Sequence, residues 1–315
     1  MIEDKQILHR YKSDGDSNVY TLGTIGPHKV VATKLSAIGH NRAAMTAAGS
    51  ITTRLLGNFQ QVQHVLVVGV GGGVAHYTDA DRHVRLGDVV VSGPLESDPK
   101  SAALRGPPSY VYCDKLEVDR ETEEVMGFLA KTWRQNDPVI PETVKELLKE
   151  RHDNYADDDD DVLWRELAEK ATEGLNNAIS TGGEYTFSRP ASDTDLLTLP
   201  AGEGNVISMP HPNQNRTRPK VHLGPIGAGR VVTKDYELRR DFAAEYGVMA
   251  YDGDFDSVVE AVQGSRLDSW ALLRGISDYG DGMRNKLWQA YAALQAAAFA
   301  KVLIERLPKE IEEND

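Results

Sequence analysis

An acidic residue follows the longest apolar run near the C-terminal end of the sequence. Residues 271–276 are typical of a buried strand, and Ser277 and Asp278 come directly after it. Gly280 and Gly282 then mark a turn. Parallel α/β sheets place their chemistry just beyond the carboxyl ends of strands, where loops meet at a crevice. A carboxyl group there can donate a proton if burial raises its pKa, so Asp278 is the first candidate for a general acid.

A second buried strand runs into a segment that is rich in glycine. Residues 65–68 are apolar, and four of the next five positions, residues 69–73, are glycine. So little side chain is needed only where a ligand or another backbone comes very close. A dinucleotide fingerprint is the rival interpretation, but it requires Gly or Ala where this chain has Val74, and the strand at residues 88–91 is not followed by an acid that could bind a ribose. The pattern therefore predicts a glycine loop against a small ligand.

A family resemblance emerges at the first of these segments. The sequence LRGISDY at 273–279, followed by WQAYAA at 288–293, resembles the C-terminal signature of the nucleoside phosphorylase and methylthioadenosine/adenosylhomocysteine nucleosidase superfamily. The glycine segment and residues 85–92 are similar to the family's ribose- and base-binding loop and to the strand after it. The resemblance covers residues 19–93 and 220–307. It implies an α/β fold in which one three-layer α/β/α domain surrounds a central mixed sheet.

The same resemblance implies cleavage of the N-glycosidic bond of a purine nucleoside or nucleotide. This reaction passes through an oxocarbenium-like transition state, much as glycoside hydrolysis does. Asp278 would assist the leaving base, and Asp256 would hold the ribose hydroxyls with Asp254 as second choice. These acids align with the family's acid-Met-Glu triplet at the start of a helix, with Phe255 in place of Met. The alternative is an acidic helix start that stabilises the helix through its dipole.

Further residues are implied to shape the pocket, stack on a base or bind an anion. They are Gly71, Gly72, Gly73, Phe255, Phe187, Ser277, Arg42, Arg85 and Arg274. For the two phenylalanines the alternative is the apolar core. For the three arginines it is an ordinary surface position or a structural ion pair.

The chain departs from the family at the nucleophile side. Members begin with a strand that ends in a water-activating Glu or in a Gly and Arg that hold phosphate. In this chain 18 residues precede Val19, and among them only Glu3 could be a remnant of such a residue. Gly71 and Gly72 stand where phosphorolytic members have Thr or Ser, and Ala228 replaces a usual Ser. Water and inorganic phosphate therefore both stay open as the acceptor. A catalytically degenerate nucleotide-binding or assembly module is the alternative function, and a first strand upstream of Met1 is a third interpretation.

Composition excludes several classes of partner. The formal net charge of −13 would repel nucleic acid and anionic membranes. No run approaches the roughly 18 apolar residues of a membrane span, and no signal peptide precedes the first strand. We therefore expect a cytoplasmic protein with a small-molecule ligand and no organic cofactor. The lone Cys113 excludes an intrachain disulfide and a cysteine-rich metal site, and the resemblance implies a homo-oligomer.

Local patterns predict the remaining elements. A short helix is predicted at residues 5–12, a hairpin of two strands at 19–25 and 29–35, and a long helix at about 285–307. Residues 96–215 are predicted to be a helical and loop insertion within the single domain. Its clearest helix has apolar residues from Trp164 to Leu175 on one face.

Four histidines lie at spacings that fit neither a helix face nor a metal site. They are His76, His83, His211 and His222. We expect each of them to be a surface or hydrogen-bonded histidine, not a metal ligand.

Overall fold

The apolar runs of the sequence are neighbouring strands of one sheet in the computed structural model of the chain. Trp270–Asp278 forms strand β13, which pairs in parallel with Val65–Gly73 (β4) and antiparallel with Val89–Ser92 (β5). All residues of β13 except the last are buried. A strand that has neighbours on both edges and helices on both faces favours an apolar sequence, which residues 270–276 supply with the exception of Arg274.

The structure describes residues 1–9, 18–35, 42–95, 107–153, 163–179, 186–201, 205–212, 214, 216, 218–253, 255–280 and 286–309. The other strands are β1 (Glu3–His9), β2 (Val19–Ile25), β3 (His28–Thr33), β6 (Tyr110–Val118), β7 (Val125–Trp133), β8 (Leu197–Pro200), β9 (Val206–Met209), β10 (Val221–Gly224), β11 (Ile226–Ala228) and β12 (Ala250–Tyr251). The helices are α1 (Arg42–Asn58), α2 (Val139–Asp153), α3 (Leu163–Ile179), α4 (Arg230–Thr233), α5 (Tyr236–Tyr246), α6 (Asp256–Gly264) and α7 (Lys286–Arg306).

A central mixed sheet of eight strands carries the order β10-β5-β13-β4-β12-β11-β6-β7. Helices cover both of its faces, as the packing of alternate residues of β13 shows. Trp270 and Leu272 pack with α1 and α6, whereas Ala271 and Leu273 pack with α2, α3 and α7. The predicted three-layer α/β/α architecture around a mixed sheet is confirmed.

Helix α7 packs closely on the central strands. A side chain at Gly275 of β13 would overlap the carbonyl group of Ala292, so the glycine allows the helix backbone to approach the strand. Helix α7 is also long and apolar enough, by length and composition, to cross a membrane, but 61% of its most apolar window is buried in the fold. That burial is typical of the core helix of a globular protein.

The N-terminal segment differs from its prediction. The hairpin is confirmed as β2 and β3, but residues 3–9 form β1 instead of the start of a helix over 5–12. Strand β1 pairs antiparallel with β2, His9 opposite Val19, in a three-stranded sheet separate from the central one. The open edge of β2 thus outweighs the weak helical preference of a short polar sequence.

The segment 96–215 is not purely helical. Helices α2 and α3 confirm part of the prediction, and Trp164 of α3 is buried against Phe299 of α7. Strands β6 and β7, however, belong to the central sheet, where β6 pairs in parallel with β11. Exposed and polar residues alternate irregularly along these strands, so their sequence carries little strand signal. Part of the predicted insertion is therefore a structural edge of the sheet.

Candidate functional site

Asp278 lies at the carboxyl end of β13, half-buried between a strand and a turn. Its Oδ1 accepts a hydrogen bond from the backbone N–H of Gly280 at 2.9 Å, and its Oδ2 accepts one from the hydroxyl of Ser277 at 3.2 Å. The pairing register of β13 shifts here, so that Asp278 lies opposite Gly72 of β4. A Cβ atom on Gly72 would lie 3.0 Å from Oδ1, so the glycine leaves room for the carboxylate. The strand end, the turn and the missing side chain together fix the carboxylate.

The glycines of β4 allow neighbouring parts of the chain to pack closely against the strand. Gly71, Gly72 and Gly73 lie inside β4 and not in the predicted loop. A Cβ on Gly71 would meet the carbonyl of Tyr251 and the side chain of Arg274, and one on Gly73 would meet Ile276 at 2.9 Å. The sequence analysis allowed either a ligand or another part of the chain as the close neighbour. For Gly71 and Gly73 the neighbour is the chain itself.

Arg274 has a structural partner that the sequence analysis missed. Its side chain is buried, donating from Nη1 to the carbonyl of Val67 and from Nη2 to Asp252 Oδ2, each at 2.6 Å. The guanidinium also lies 4.9 Å from the ring centroid of Phe255. Both Arg274 and Phe255 are therefore packed in the core, the structural alternative given for each, and their anion-binding and base-stacking roles stay predictions.

Asp252 is the acid that directly follows β12, and it is buried with Arg274. Asp256 comes four residues later as the half-buried first residue of α6, a place where a carboxylate also stabilises the helix dipole. Asp254 lies outside the described residues. Tyr251 and Asp278 both pair with Gly72, on its two sides, so the acidic segment begins beside the strand end that carries Asp278.

The guanidinium of Arg85 binds a second buried carboxylate, that of Asp195. Its Nε and Nη2 both donate to Asp195 Oδ2, at 3.0 and 2.6 Å. The hydroxyl of Tyr279 donates to Asp195 Oδ1 at 2.8 Å. Because Tyr279 follows Asp278, this network ties the 192–200 segment to the candidate acid. The donors of Arg85 are thus largely occupied by Asp195 and by the backbone carbonyl of Arg216, and its anion-binding role stays a prediction.

A chain of histidines continues from Asp195. The backbone N–H of His76 donates to His83 Nδ1, so His83 carries its proton on Nε2 and donates to His211 Nδ1 at 2.9 Å. His211 Nε2 then donates to the carbonyl of Asp195 at 2.9 Å. Burial lowers the pKa of His83 to about 3, with further lowering from His211 and Arg216. These are hydrogen-bonded histidines, as predicted.

Asp88 is the centre of a third group of contacts at the start of β5. It accepts a bidentate pair of hydrogen bonds from Arg216, at 2.7 and 2.8 Å, and lies 2.9 Å from His222 Nε2. The backbone N–H of Arg85 and that of Lys220 also donate to it. Burial opposes its charge, but Arg216 and His222 outweigh burial and hold the pKa of Asp88 well below its usual range.

The remaining predicted residues are not brought to Asp278 by any described contact. Phe187 is half-buried and packs with the cluster of α2, α3 and α7, which is the alternative given for it, and its stacking role stays a prediction. Arg42 begins α1, and its side chain lies outside the described residues. Cys113 is buried, which raises the pKa of its thiol to about 11. Within the described part of the chain, no group of three or more His, Cys, Asp or Glu residues is arranged to hold a metal ion.

Sequence comparison gives a single informative relative. No protein-family model matches the chain. A nucleotide-binding leucine-rich repeat (NLR)-like protein of Hyaloscypha variabilis is 30% identical over 295 residues. The match covers 92% of this chain but 26% of that protein, so the chain spans about a quarter of the relative's length.

Structure comparison finds nucleosidases. The S-adenosylhomocysteine nucleosidase of Streptococcus pyogenes, in complex with 5-methylthiotubericidin, has a TM-score of 0.51 at 15% identity, covering 98% of this chain and 90% of that chain. The 5′-methylthioadenosine/S-adenosylhomocysteine nucleosidase of Helicobacter pylori has a TM-score of 0.51 at 16% identity, over 96% and 89%. A Borrelia burgdorferi B31 protein of the same nucleosidase class, bound to adenine, has a TM-score of 0.54 at 12% identity, over 96% and 91%. At such identities the likeness shows the fold.

Proposed function

We propose that this chain, which has the fold of the nucleoside phosphorylase superfamily, cleaves the N-glycosidic bond of a purine nucleoside or nucleotide. The observation that carries the proposal is the setting of Asp278. Its carboxylate stands at the end of the central strand, oriented by two donors and facing a strand position without a side chain. The fold and the sequence LRGISDY are shared features that support the same assignment.

The proposed role of Asp278 is to assist the departing base. Cleavage leaves negative charge on the base, and a hydrogen bond or proton from a carboxyl group stabilises it in the transition state. Ser277 supports this role, because its hydroxyl can rotate to donate to a carboxylate or to accept from a protonated carboxyl group. The turn at Gly280 holds the other oxygen in place.

The ribose-binding role is proposed for Asp256 or Asp254. Asp252 is not a candidate, because its carboxylate is buried against Arg274. Asp256 is half-buried at the start of α6, five residues after Tyr251, the strand end beside Gly72. A carboxylate there accepts hydrogen bonds from two adjacent sugar hydroxyls.

The acceptor is proposed to be water or inorganic phosphate. Glu3 does not supply the base, because it lies on β1 in a separate sheet, 3.8 Å from Lys301 of α7. Phosphate dependence of the reaction distinguishes a hydrolase from a phosphorylase. A homo-oligomeric, cytoplasmic enzyme is the further expectation from the resemblance, and light scattering on the purified protein tests the assembly.

The experiment incubates the protein with a panel of purine nucleosides and nucleotides, with and without phosphate, and measures the released base by chromatography. We expect Asp278→Asn to lower the rate by about 10²–10⁴-fold, because the amide cannot donate a proton in the same way. Asp268→Asn is the matched control, since Asp268 is exposed two residues before the opposite end of β13. Unchanged base release by Asp278→Asn would remove Asp278 from the mechanism.

A second function rests on a separate observation. The sequence relative is an NLR-like protein about four times as long as the matched region, so this chain resembles one part of a larger protein. The alternative is thus a nucleoside-binding or assembly module without catalysis. Binding of adenosine that raises the melting temperature, with no base released from any substrate, would favour this alternative.

A further inference from the structure

Arg239 of α5 is a buried arginine without a carboxylate partner in the part of the chain that the structure describes. The residue is 8% exposed. Its side chain donates one hydrogen bond to a described residue, from Nη1 to the carbonyl of Thr233 at 3.2 Å. The buried residues Arg85 and Arg274, by contrast, are each paired with an aspartate. A buried guanidinium without an anion costs folding free energy, so its presence calls for an explanation.

The remaining donors of Arg239 touch solvent. Among the described residues, neither Nε nor Nη2 has a hydrogen-bond partner. Neither atom belongs to the fully buried side-chain atoms that lack a partner, which include Nε of Arg274. Because the rest of the residue is buried, these two nitrogens reach solvent through a narrow opening. A ligand that enters this opening meets two N–H donors side by side.

The opening lies beside the turn that orients the candidate acid. A Cβ atom built on Gly280 would lie 3.5 Å from both Cδ and Nε of Arg239. The backbone N–H of the same Gly280 donates to Asp278 Oδ1 at 2.9 Å. Gly280 has a φ of +67°, which side chains rarely adopt, so the turn keeps a glycine there and places no side chain between Arg239 and Asp278.

Aromatic residues hold the guanidinium in place of a carboxylate. It lies 5.6 Å from the ring centroid of Tyr236, a distance typical of a cation–π contact. The hydroxyl of Tyr236 is 3.1 Å from that of Tyr77, which donates to the carbonyl of Thr198 at 3.0 Å. The hydroxyl of Tyr251 donates to the backbone carbonyl of Arg239. The guanidinium is thus fixed before a ligand arrives, which reduces the entropy that binding costs.

We infer that Arg239 determines which base the site takes and favours a 6-oxopurine, such as hypoxanthine or guanine, over adenine. The inference rests on the proposed function, because the base is the group that departs beside Asp278. The planar fork of an arginine matches the two acceptors O6 and N7 of a 6-oxopurine. Adenine presents an amino donor at position 6, so that donor would face donor and one arginine N–H would lose its partner.

The first test compares the binding of inosine, purine riboside and adenosine to the full chain by titration calorimetry. Purine riboside has no substituent at position 6. We expect inosine to bind about ten- to a hundredfold more tightly than adenosine, with purine riboside between them. This ranking uses the wild-type protein, so misfolding of a variant cannot obscure it. Adenosine that binds as tightly as inosine, or binding of neither nucleoside, would overturn the inference.

The second test assigns the preference to Arg239. Arg239→Gln should lower the ratio of inosine to adenosine affinity about tenfold or more, because the fork is lost. Arg239→Lys keeps the charge without the fork and should retain a weaker preference. Arg240→Gln, at the exposed next position of α5, is the matched control and should keep the wild-type ratio. A purely structural role of Arg239 would weaken the binding of both nucleosides equally, and an unchanged ratio in Arg239→Gln would reject the inference.

Failure of this inference can be separated from failure of the glycosidic proposal. The ratio of kcat/KM for inosine to that for adenosine should follow the affinity ratio if both are right. Base release that is fastest from adenosine would leave the reaction and reject the role of Arg239. Preferential binding of inosine that depends on Arg239, with no base released from any nucleoside, would do the reverse.

Discussion

Two of the buried arginine–aspartate pairs in this structure differ in what surrounds them. Arg274 with Asp252 and Arg85 with Asp195 each have a closest N···O distance of 2.6 Å. The first pair lies inside the central sheet, between β13 and the end of β12. The second joins the edge of the sheet, at the start of β5, to the segment around residue 195.

The surroundings of the two pairs differ in polarity. Around Arg274 are the glycines of β4 and the ring of Phe255, and its buried Nε has no hydrogen-bond partner among the described residues. The hydroxyl of Tyr279 donates to the carboxylate of Asp195, and His211 Nε2 donates to its backbone carbonyl and lies 3.4 Å from its Oδ1. The carboxylate of Asp252 thus pairs with a guanidinium that also donates to a backbone carbonyl, whereas the carboxylate of Asp195 belongs to a wider network with a guanidinium, a hydroxyl and a histidine.

This difference distinguishes an ion pair that stabilises the sheet from a network that lies beside the candidate site. A buried ion pair with one partner fixes a geometry, since loss of either member leaves an uncompensated charge in the core. A network with several donors can lose one and still hold its carboxylate. The first arrangement supports the strand ends under Asp278, and the second attaches a neighbouring segment to the residue beside Asp278.

The largest expected effect comes from breaking the pair in the sheet. Arg274→Met should lower the free energy of unfolding by about 3–5 kcal/mol, because the buried carboxylate of Asp252 loses the guanidinium that balances its charge. Arg85→Met should lower it by about 1–3 kcal/mol, because the carboxylate of Asp195 keeps the hydroxyl of Tyr279 as a donor and has His211 Nε2 3.4 Å from its Oδ1. Urea denaturation measures both, with the exposed Arg54→Met on α1 as the control. Equal losses for the two variants would contradict the comparison.

A second change sharpens the cause of that loss. If the stranded charge of Asp252 is responsible, the double variant Arg274→Met/Asp252→Leu should recover most of the stability that Arg274→Met alone loses. The same denaturation measurement tests it. A double variant as unstable as the single one would instead point to lost packing across the glycines of β4.

A smaller effect is expected from filling the space over which Arg274 extends. A Cβ atom on Gly71 would lie 2.7 Å from the carbonyl oxygen of Tyr251 and 3.4 Å from Arg274 Cβ. Gly71→Ala should therefore lower the free energy of unfolding by about 1–3 kcal/mol. Gly174→Ala on α3, where a Cβ meets nothing within 4 Å, should raise it by about 0.5–1 kcal/mol. A neutral Gly71→Ala would show that the strand can shift away.

Sequence patterns predicted the scaffold better than the site. The strands β4, β5 and β13 contain runs of consecutive apolar residues, and α7 is a long apolar segment, so their type was predictable from sequence. Strand β1 and the β6–β7 pair escaped prediction, because their strand state comes from pairing with a neighbour and not from local pattern.

The site was predictable only where one segment carries it. Asp278, Ser277 and Gly280 are adjacent in sequence, so the turn that fixes the acid could be expected. The networks could not, because their partners are far apart: Arg274 and Asp252 by 22 positions, Arg85 and Asp195 by 110. The one available signal was Asp252 itself, an acid directly after the short strand β12.

The smallest effect concerns pH and tests the histidine side of the second network. His83 has its pKa lowered to about 3 from 6.5, chiefly by burial and then by His211 and Arg216, with Asp88 opposing and Arg85 assisting. Below pH 6.5 the unfolded chain binds a proton that the folded chain excludes. The free energy of unfolding should therefore fall as pH falls from about 6.5, by about 1.4 kcal/mol per pH unit at most.

Two carboxylates of the networks act in the same direction but at lower pH. The pKa values of Asp88 and Asp195 are lowered in the fold, so their stabilisation is complete above about pH 4 and is lost only below it. Between pH 6.5 and 5 the slope thus reports mainly the buried histidines. His83→Gln should flatten it, because the amide does not titrate, whereas His9→Gln on the exposed β1 is the matched control and should not. An unchanged slope in His83→Gln would mean that the fold does not hold His83 neutral. The description of the surroundings of Asp195 as a network that includes neutral histidines would then be wrong.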